Sequence, residues 1–322
     1  MKRGLLLISI AVLILAATTV GWAYQCTVLA LPIPAGVSVH PTALNAAGKA
    51  TGYLTGPSGD NAFFWSSGTG MVVLTPDRAY GIDEIRTCVG FEGFGIDVPP
   101  FTIPYACQWT SAGQQWISGG KAIARGKSNS LIVGEEQVFE GGAWVPKPVL
   151  WETGRKTIIY SATLGEGRAY GVNKFRCVVG AFEDHAFFWK LGVATDLGLG
   201  EAFCVNNSNQ VAGYAVVSGV EWPATWKGTV RRLLALPGFR GRALAQNETS
   251  LVAGYIISTS STKRAALWIN GFYMDLNMLS APNLPPGWFL TAAVGVNGSG
   301  QILCEGVNVL GETRAFLLKL VP

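Results

Sequence analysis

The chain has 322 residues, enough for one large domain or two ordinary ones, with 24 Lys and Arg against 20 Asp and Glu. Charged residues make up only 14 %, and no basic stripe with interleaved aromatics occurs, which argues against a nucleic-acid partner. Forty-one glycines and 11 tryptophans point away from a disordered or helical chain and toward a turn-rich, heavily buried β protein.

In chain order, residues 1–23 read first as an export signal. Lys2 and Arg3 precede an apolar run from Leu5 to Val20, and Gly21-Trp22-Ala23 is a small-x-small site with cleavage expected before Tyr24. An uncleaved membrane anchor is the rival reading, because the run is close to the lower length limit for a span. Cys26 follows bulky Gln25 and Tyr24, which disfavours a lipoprotein. Without Lys2 and Arg3 the domain carries 22 basic and 20 acidic side chains and is nearly neutral. The expected location is extracellular, periplasmic or on the cell surface.

From residue 24 onward one unit recurs seven times. A column of anchors runs Trp65, Trp109, Trp151, Trp189, Trp226, Trp268 and Leu318. Three residues upstream stand Ala62, Ala106, Pro148, Ala186, Pro223, Ala265 and Ala315. Earlier in each unit is a twelve-residue signature such as AYGVNKFRCVVG at 169–180; its third copy, AIARGKSNSLIVG at 122–134, reads as one residue longer. Six copies keep Asn or Asp at the fifth position: Asn45, Asp83, Asn173, Asn206, Asn247 and Asn297. The closing positions of the signature lie 33 to 50 residues apart.

Each unit reads as four short strands: a small-residue strand, an Asn-led turn into a second, a third carrying the Trp anchor, and a glycine turn into a fourth. Four strands per repeat of this length predict an all-β fold, a seven-bladed β-propeller of four-stranded antiparallel blades forming a single domain over 24–322. The last copy stops at AFLLKLVP without a fourth strand, while CTVLALP at 26–32 looks like a fourth strand without a blade. The N-terminal segment is therefore expected to complete the last blade and close the ring. The chain is expected to be a monomer.

His185-Ala186-Phe187-Phe188-Trp189, the one strict His-Ala-Phe copy among degenerate repeats, with Val172-Asn173 and GVNGSGQI at 295–302 followed by RAFLL, resembles the extracellular HAF-repeat family. The resemblance covers about 26–322. It implies a secreted or surface repeat protein and carries no catalytic residue across, since the family has no established activity.

Chemistry-bearing motifs are scarce. No serine-hydrolase elbow, phosphate loop, EF-hand or HExxH occurs, and no metal or cofactor is called for. Six cysteines lack zinc spacing; Cys88 with Cys107 is the one local disulfide candidate, and buried free thiols are the equal alternative. His185 sits in a column that tolerates many side chains and reads as structural, while His40 has no evident partner. Glu135, Glu136, Glu183, Asp184 and Glu305 offer an alternative, a polysaccharide hydrolase or lyase using paired carboxylates, although solvated loop charges explain them as simply.

The long segments 91–105, 135–147 and 277–290 vary most between repeats and read as loops on one face. Their Phe94, Phe101, Tyr105, Phe139, Trp144 and Trp288 are the candidate ligand-binding residues, a stacking surface for a glycan or an extracellular protein. A binding or scaffold module thus ranks above an enzyme.

Overall fold

A computed structural model describes residues 25–33, 36–94, 103–161, 165–234, 236, 238–281 and 283–321. The export signal expected over 1–23 lies outside the described residues. Among the described residues the fold is all-β, with one short helix, α1 (Leu276–Ser280), capped by the Asp275 side chain.

The strands form antiparallel four-stranded sets in sequence order. The first is β2 (Ser38–Leu44), β3 (Ala50–Gly56), β4 (Gly59–Ser66) and β5 (Gly70–Pro76). The second is β6 (Arg78–Ile82), β7 (Cys88–Phe94), β8 (Ile103–Thr110) and β9 (Gly113–Trp116). The third is β10 (Ala122–Ser128), β11 (Leu131–Glu140), β12 (Ala143–Glu152) and β13 (Arg155–Ile158). The fourth and fifth merge into one seven-stranded sheet. Its strands are β14 (Gly167–Val172), β15 (Val178–Phe182), β16 (His185–Lys190), β17 (Val193–Val205), β18 (Gln210–Val217), β19 (Val220–Lys227) and β20 (Val230–Leu233). Within it β17 ends one set with residues 193–199 and begins the next with 200–205. The sixth set is β21 (Arg240–Gln246), β22 (Val252–Ile257), β23 (Lys263–Ile269) and β24 (Phe272–Asp275). In the seventh, β25 (Trp288–Val296), β26 (Gln301–Asn308) and β27 (Thr313–Val321) are joined by β1 (Gln25–Ala30), which pairs with β27 from Gln25↔Val321 to Ala30↔Phe316. Each sheet is open, with a first strand at one edge and a last at the other.

The tryptophan column explains what lies between sets. Trp65, Trp109, Trp151, Trp189, Trp226 and Trp268 are all buried, as is Leu318. Trp109 packs with Ala62 and Phe64 of the first set, Trp151 with Val89 and Ala106 of the second, and Trp226 with Val179 and Ala186 of the fourth. Trp65 packs with Leu303, Ala315 and Leu317, which brings the last set against the first. The indole N–H groups of Trp226 and Trp268 donate to the carbonyls of Leu197 and Leu234, at 3.3 and 3.1 Å, in the chain leaving the preceding set. Each ring buries roughly 150–250 Å², worth about 4–6 kcal/mol at most.

The asparagine column is a turn and a latch at once. Asn206 is buried, and its Oδ1 accepts from the N–H groups of Ser208 and Gln210 at 3.0 and 2.9 Å, which fixes the turn. Its Nδ2 donates to the Asn247 carbonyl of the next set at 3.2 Å. Equivalent links run from Asn45 to Asp83, Asn173 to Asn206, Asn247 to Asn297, and Asn297 back to Asn45. Asp83 has no amide to donate. Its carboxylate faces Lys127 of the third set at 3.6 Å, both side chains buried.

The third copy of the signature departs from the sequence expectation. Its first strand aligns with the others from Ala124, and Ser128 pairs with Leu131 across a two-residue turn, Asn129-Ser130. The copy is therefore a residue shorter than its relatives, not longer. Without room for a five-residue turn it has no latch asparagine, and Lys127 stands in.

Candidate functional site

The closing glycine of the signature leads to a cavity lined by the first strands. A Cβ on Gly90, Gly134 or Gly213 would lie 1.9 Å from the carbonyl oxygen of Arg78, Ile123 or Glu201 on the paired first strand. Immediately after the residue paired with this position, every first strand carries a β-bulge at the same register. The extra residues are Thr42, Tyr80, Arg125, Tyr170, Phe203, Leu244 and Val294, and all seven line one cavity of about 360 Å³. The seventh set has Cys304 in place of the glycine, and there the first strand carries a second bulge, at Thr291.

Around this layer, aromatic rings and cations alternate. The Arg125 guanidinium lies between Tyr80 and Tyr170, 5.5 and 5.6 Å from the ring centres. Tyr170 meets Phe203 edge to face at 5.4 Å, and Phe203 meets Tyr214 at 5.9 Å. Arg242 covers Tyr214, Lys263 covers Tyr255, and Arg78 covers Tyr53. His40 stacks on Tyr53 at 4.8 Å and reaches Glu305 at 3.0 Å. The expectation that His40 lacks a partner is therefore corrected: β2 and β26, distant in sequence, are brought side by side.

The cations are matched by carboxylates. Glu135, 8 % exposed, receives Arg125 Nε and Nη2 at 3.0 and 3.1 Å and Arg168 Nε at 3.1 Å. Arg78 binds Asp60 at 2.5 Å, and Arg242 binds Glu221 through two bonds of 2.7 and 2.9 Å. Burial pushes the Tyr214 hydroxyl up to about 12, helped by Glu201 and against Arg242. Tyr53, Tyr170 and Tyr255 are raised chiefly by burial as well. Glu135 and Glu305 are thus bound network members rather than solvated loop charges. Glu136 is held by Lys156 at 2.6 Å. His185 lies at the outer end of its strand against Asp196, 3.0 Å away.

The aromatic residues singled out from the sequence fall into three groups. Phe101 and the side chain of Phe94 lie outside what the structure describes. Tyr105, Phe139 and Trp144 come together on one shoulder. Residues 135–147 are not a loop: β11 and β12 run on as a hairpin to a two-residue turn at Gly141-Gly142, both at positive φ as a type I′ turn requires. At its tip Phe139 and Trp144, 60 and 54 % exposed, meet edge to face at 5.4 Å. Lys121 Nζ sits 3.3 Å from the Trp144 ring centre, and the adjacent Gly120 abuts Tyr105, which contacts exposed Trp116 at 5.6 Å. Tyr160, also exposed, lies near Lys147, which pairs with Glu140. Trp288 belongs elsewhere: it is half-buried in the seventh set against Phe316, with Arg314 over its ring. Segment 277–290 is likewise not wholly irregular, since α1 occupies its start.

All six cysteines are unpaired, Cys88 and Cys107 included. Burial raises Cys26 and Cys88 to about 11 and Cys204 to about 12, so these thiols stay protonated and inert. Among the described residues no group of three His, Cys, Asp or Glu side chains is placed to hold a metal.

The bulge layer lining the cavity is what sequence reasoning missed. Its signal was the second position of the signature, which varies from Thr to Arg to Phe and so looked unconstrained. No protein-family model and no curated protein matches the chain. Among solved structures it is similar to TolB from Acinetobacter baumannii, at 8 % identity and a TM-score of 0.46, over 85 % of this chain and 65 % of that one. The chain thus spans just under two thirds of the length of that protein.

Proposed function

We propose that the seven four-stranded sets are the blades of one closed β-propeller, exported from the cell, that works as a non-catalytic binding module for glycans. The ring reading is supported by the apolar clusters between consecutive sets, including the one joining the last set to the first, and by the asparagine links that return from Asn297 to Asn45. His-Ala-Phe-Phe-Trp at 185–189, with its degenerate relatives Asn-Ala-Phe-Phe-Trp at 61–65 and Arg-Ala-Phe-Leu-Leu at 314–318, supports membership of the HAF-repeat family, and the apolar run after Lys2 and Arg3 supports export.

One observation carries the binding reading. A molecule that buries six anchor tryptophans leaves Trp116, Phe139, Trp144 and Tyr160 each more than half exposed on one shoulder of the second and third sets. Ring faces flanked by Glu92, Glu140 and Lys121 suit a saccharide, whose C–H faces stack while its hydroxyls find charged partners. The carboxylate-driven hydrolase or lyase has less support, because both oxygens of Glu135 are taken by arginines.

The test is a panel of neutral oligosaccharides followed by tryptophan fluorescence. A Phe139→Ala/Trp144→Ala double variant is expected to lose binding at least tenfold while melting within a degree or two of the parent. Unchanged binding in that variant would remove the shoulder as the site. Turnover of a polysaccharide that disappears in Glu135→Gln would restore the enzyme reading.

A further inference from the structure

We propose that the axial cavity is a second ligand site, separate from the aromatic shoulder, and that it takes a single neutral polyhydroxylated ring, a monosaccharide or cyclitol. Three observations lead there.

The first is asymmetry within a symmetric frame. All seven bulges have the same backbone register, yet the residue each one turns to the axis differs. Large side chains are contiguous, Tyr80, Arg125, Tyr170 and Phe203, whereas Thr42, Leu244 and Val294 on the remaining arc are smaller. A packing requirement common to seven repeats would return one residue type, as the tryptophan column does. Here the ring becomes a floor with a bulky half and an open half.

The second is charge. The cavity is lined by Arg125 and Lys127 and by Glu84 and Glu248 of the turns. Arg125 is neutralised by Glu135, and Lys127 by Asp83 at 3.6 Å. Glu84 accepts from the Ala46 N–H at 3.2 Å, and Glu248 from the Asn207 N–H at 3.1 Å. An anion in the cavity meets two carboxylates, and a cation must settle beside two bound cations. A neutral ligand meets neither obstacle.

The third is the character of the wall. Each first-strand segment, residues 200–205 of β17 included, pairs with its second strand on one side only, which leaves backbone N–H and C=O groups on its other side, apart from those already bonded such as the Ala79 carbonyl that Thr42 holds. A wall that offers donors and acceptors in turn suits hydroxyl groups, which do both. The rings of Tyr80, Tyr170 and Phe203 add an apolar floor against which a saccharide can stack. A volume of about 360 Å³ falls at the small end of small-molecule sites.

The experiment uses the full chain and saturation-transfer NMR with glucose, galactose, mannose and myo-inositol, beside glucuronate and glucosamine as charged counterparts. One neutral ring is expected to saturate a single site, with its charged counterparts at least tenfold weaker. Leu244→Trp and Val294→Phe, which fill the open half, are expected to weaken it at least tenfold, whereas Trp144→Ala leaves it unchanged. Loss in Trp144→Ala instead would assign the ring to the shoulder and overturn the axial site. Saturation by none of the neutral rings, preference for a charged counterpart, or full binding by both filled variants would each overturn it too. Should both filled variants misfold, intermolecular NOEs from the ligand to the Tyr170 and Phe203 rings of the unmodified protein decide; their absence overturns the proposal.

Discussion

The asparagine turns and the bulges lie only a few residues apart on the same first strands, yet one layer repeats its side chains and the other repeats only its backbone. At the turns the side chain itself is the structural element. Asn206 supplies an acceptor for two N–H groups and a donor for the neighbouring set, and few other side chains do both. At the bulges the backbone does the work, and in six of the seven sets the residue paired just before the bulge is a glycine with no room for a Cβ. The side chain at the bulge is then free to differ. Repetition of identity marks what the fold requires, and repetition of geometry without identity marks where the molecule has room to specialise.

The sharpest way to break that comparison is to attack a column that repeats. Trp268→Ala removes a fully buried ring and its N–H donation to the Leu234 carbonyl. It is expected to cost about 3–5 kcal/mol in denaturant unfolding. A loss below 1 kcal/mol would mean that the column is not the core between sets. Next comes the one latch with altered chemistry. Asp83→Asn restores the residue the other copies carry, and on sequence alone it should be harmless. It strips Lys127 of its carboxylate, with the Lys127 side chain only 6 % exposed. We expect destabilisation by about 3 kcal/mol, the lower end for a broken buried pair because Lys127 borders the cavity. Adding Lys127→Met should recover most of it. A neutral Asp83→Asn would show that the pair is incidental.

A simple latch should cost less. Asn206→Ala orphans the Ser208 and Gln210 N–H groups and the Asn247 carbonyl, but residues of this turn can reach water. About 2 kcal/mol is expected, read as a shift of the unfolding midpoint at constant slope.

The tryptophan, asparagine and glycine columns were legible in the sequence because each position admits one residue type and seven copies average out the exceptions. Strand order and the pairing of β1 with the last set followed from them. The sequence could not show the bulge, since a bulge leaves no fixed residue at its own position and its trace, Gly52 or Gly180, passes for an ordinary turn or strand glycine. Alignment of the third copy failed for a related reason: Arg125 and Lys127 were counted from Ala122 when the common register begins at Ala124. Of the candidate site, Tyr105, Phe139 and Trp144 were found because large aromatics stand out in a variable segment. Trp288 was misplaced because nothing local reveals that Phe316 lies beneath it. His40 with Glu305, 265 residues apart, needed the fold itself.

The tyrosines of the ring-and-cation network give a smaller, pH-confined effect. Burial raises Tyr53, Tyr170, Tyr214 and Tyr255, Tyr214 to about 12. An acid whose folded pKa lies above its unfolded value near 10 favours the folded state fully below pH 10, and that contribution disappears as pH rises through the folded value. Melting temperature should therefore be flat in these groups up to about pH 10 and fall between about 10 and 12. Tyrosinate absorbance should rise in two stages, the later one coinciding with the loss of stability. Tyr214→Phe should flatten part of that fall. A single tyrosinate step at pH 10 without loss of structure would show the hydroxyls to be open to water.

The smallest expected effect is the most informative about the comparison. If bulge side chains are free of structural duty, exchanging them should barely register in stability. Leu244→Thr imports the side chain that the first set carries at the same register, Thr42, and Val294→Leu imports that of the sixth. Neither residue belongs to the fully buried core, and each faces the cavity. Both changes should shift stability by no more than about 0.5 kcal/mol, the range of substitutions that leave packing and buried polar groups intact. Thr42 is a stricter case, because its Oγ1 donates to the Ala79 carbonyl of the next set at 2.9 Å. Thr42→Val should cost about 1 kcal/mol for that lost bond, more than either exchange and less than the loss of Asn206. The order Asn206→Ala, Thr42→Val, Leu244→Thr in one set of urea curves is the expectation. If Leu244→Thr proves as costly as Asn206→Ala, the bulge layer is core after all, and its variety reflects seven different packing solutions instead of one specialised cavity.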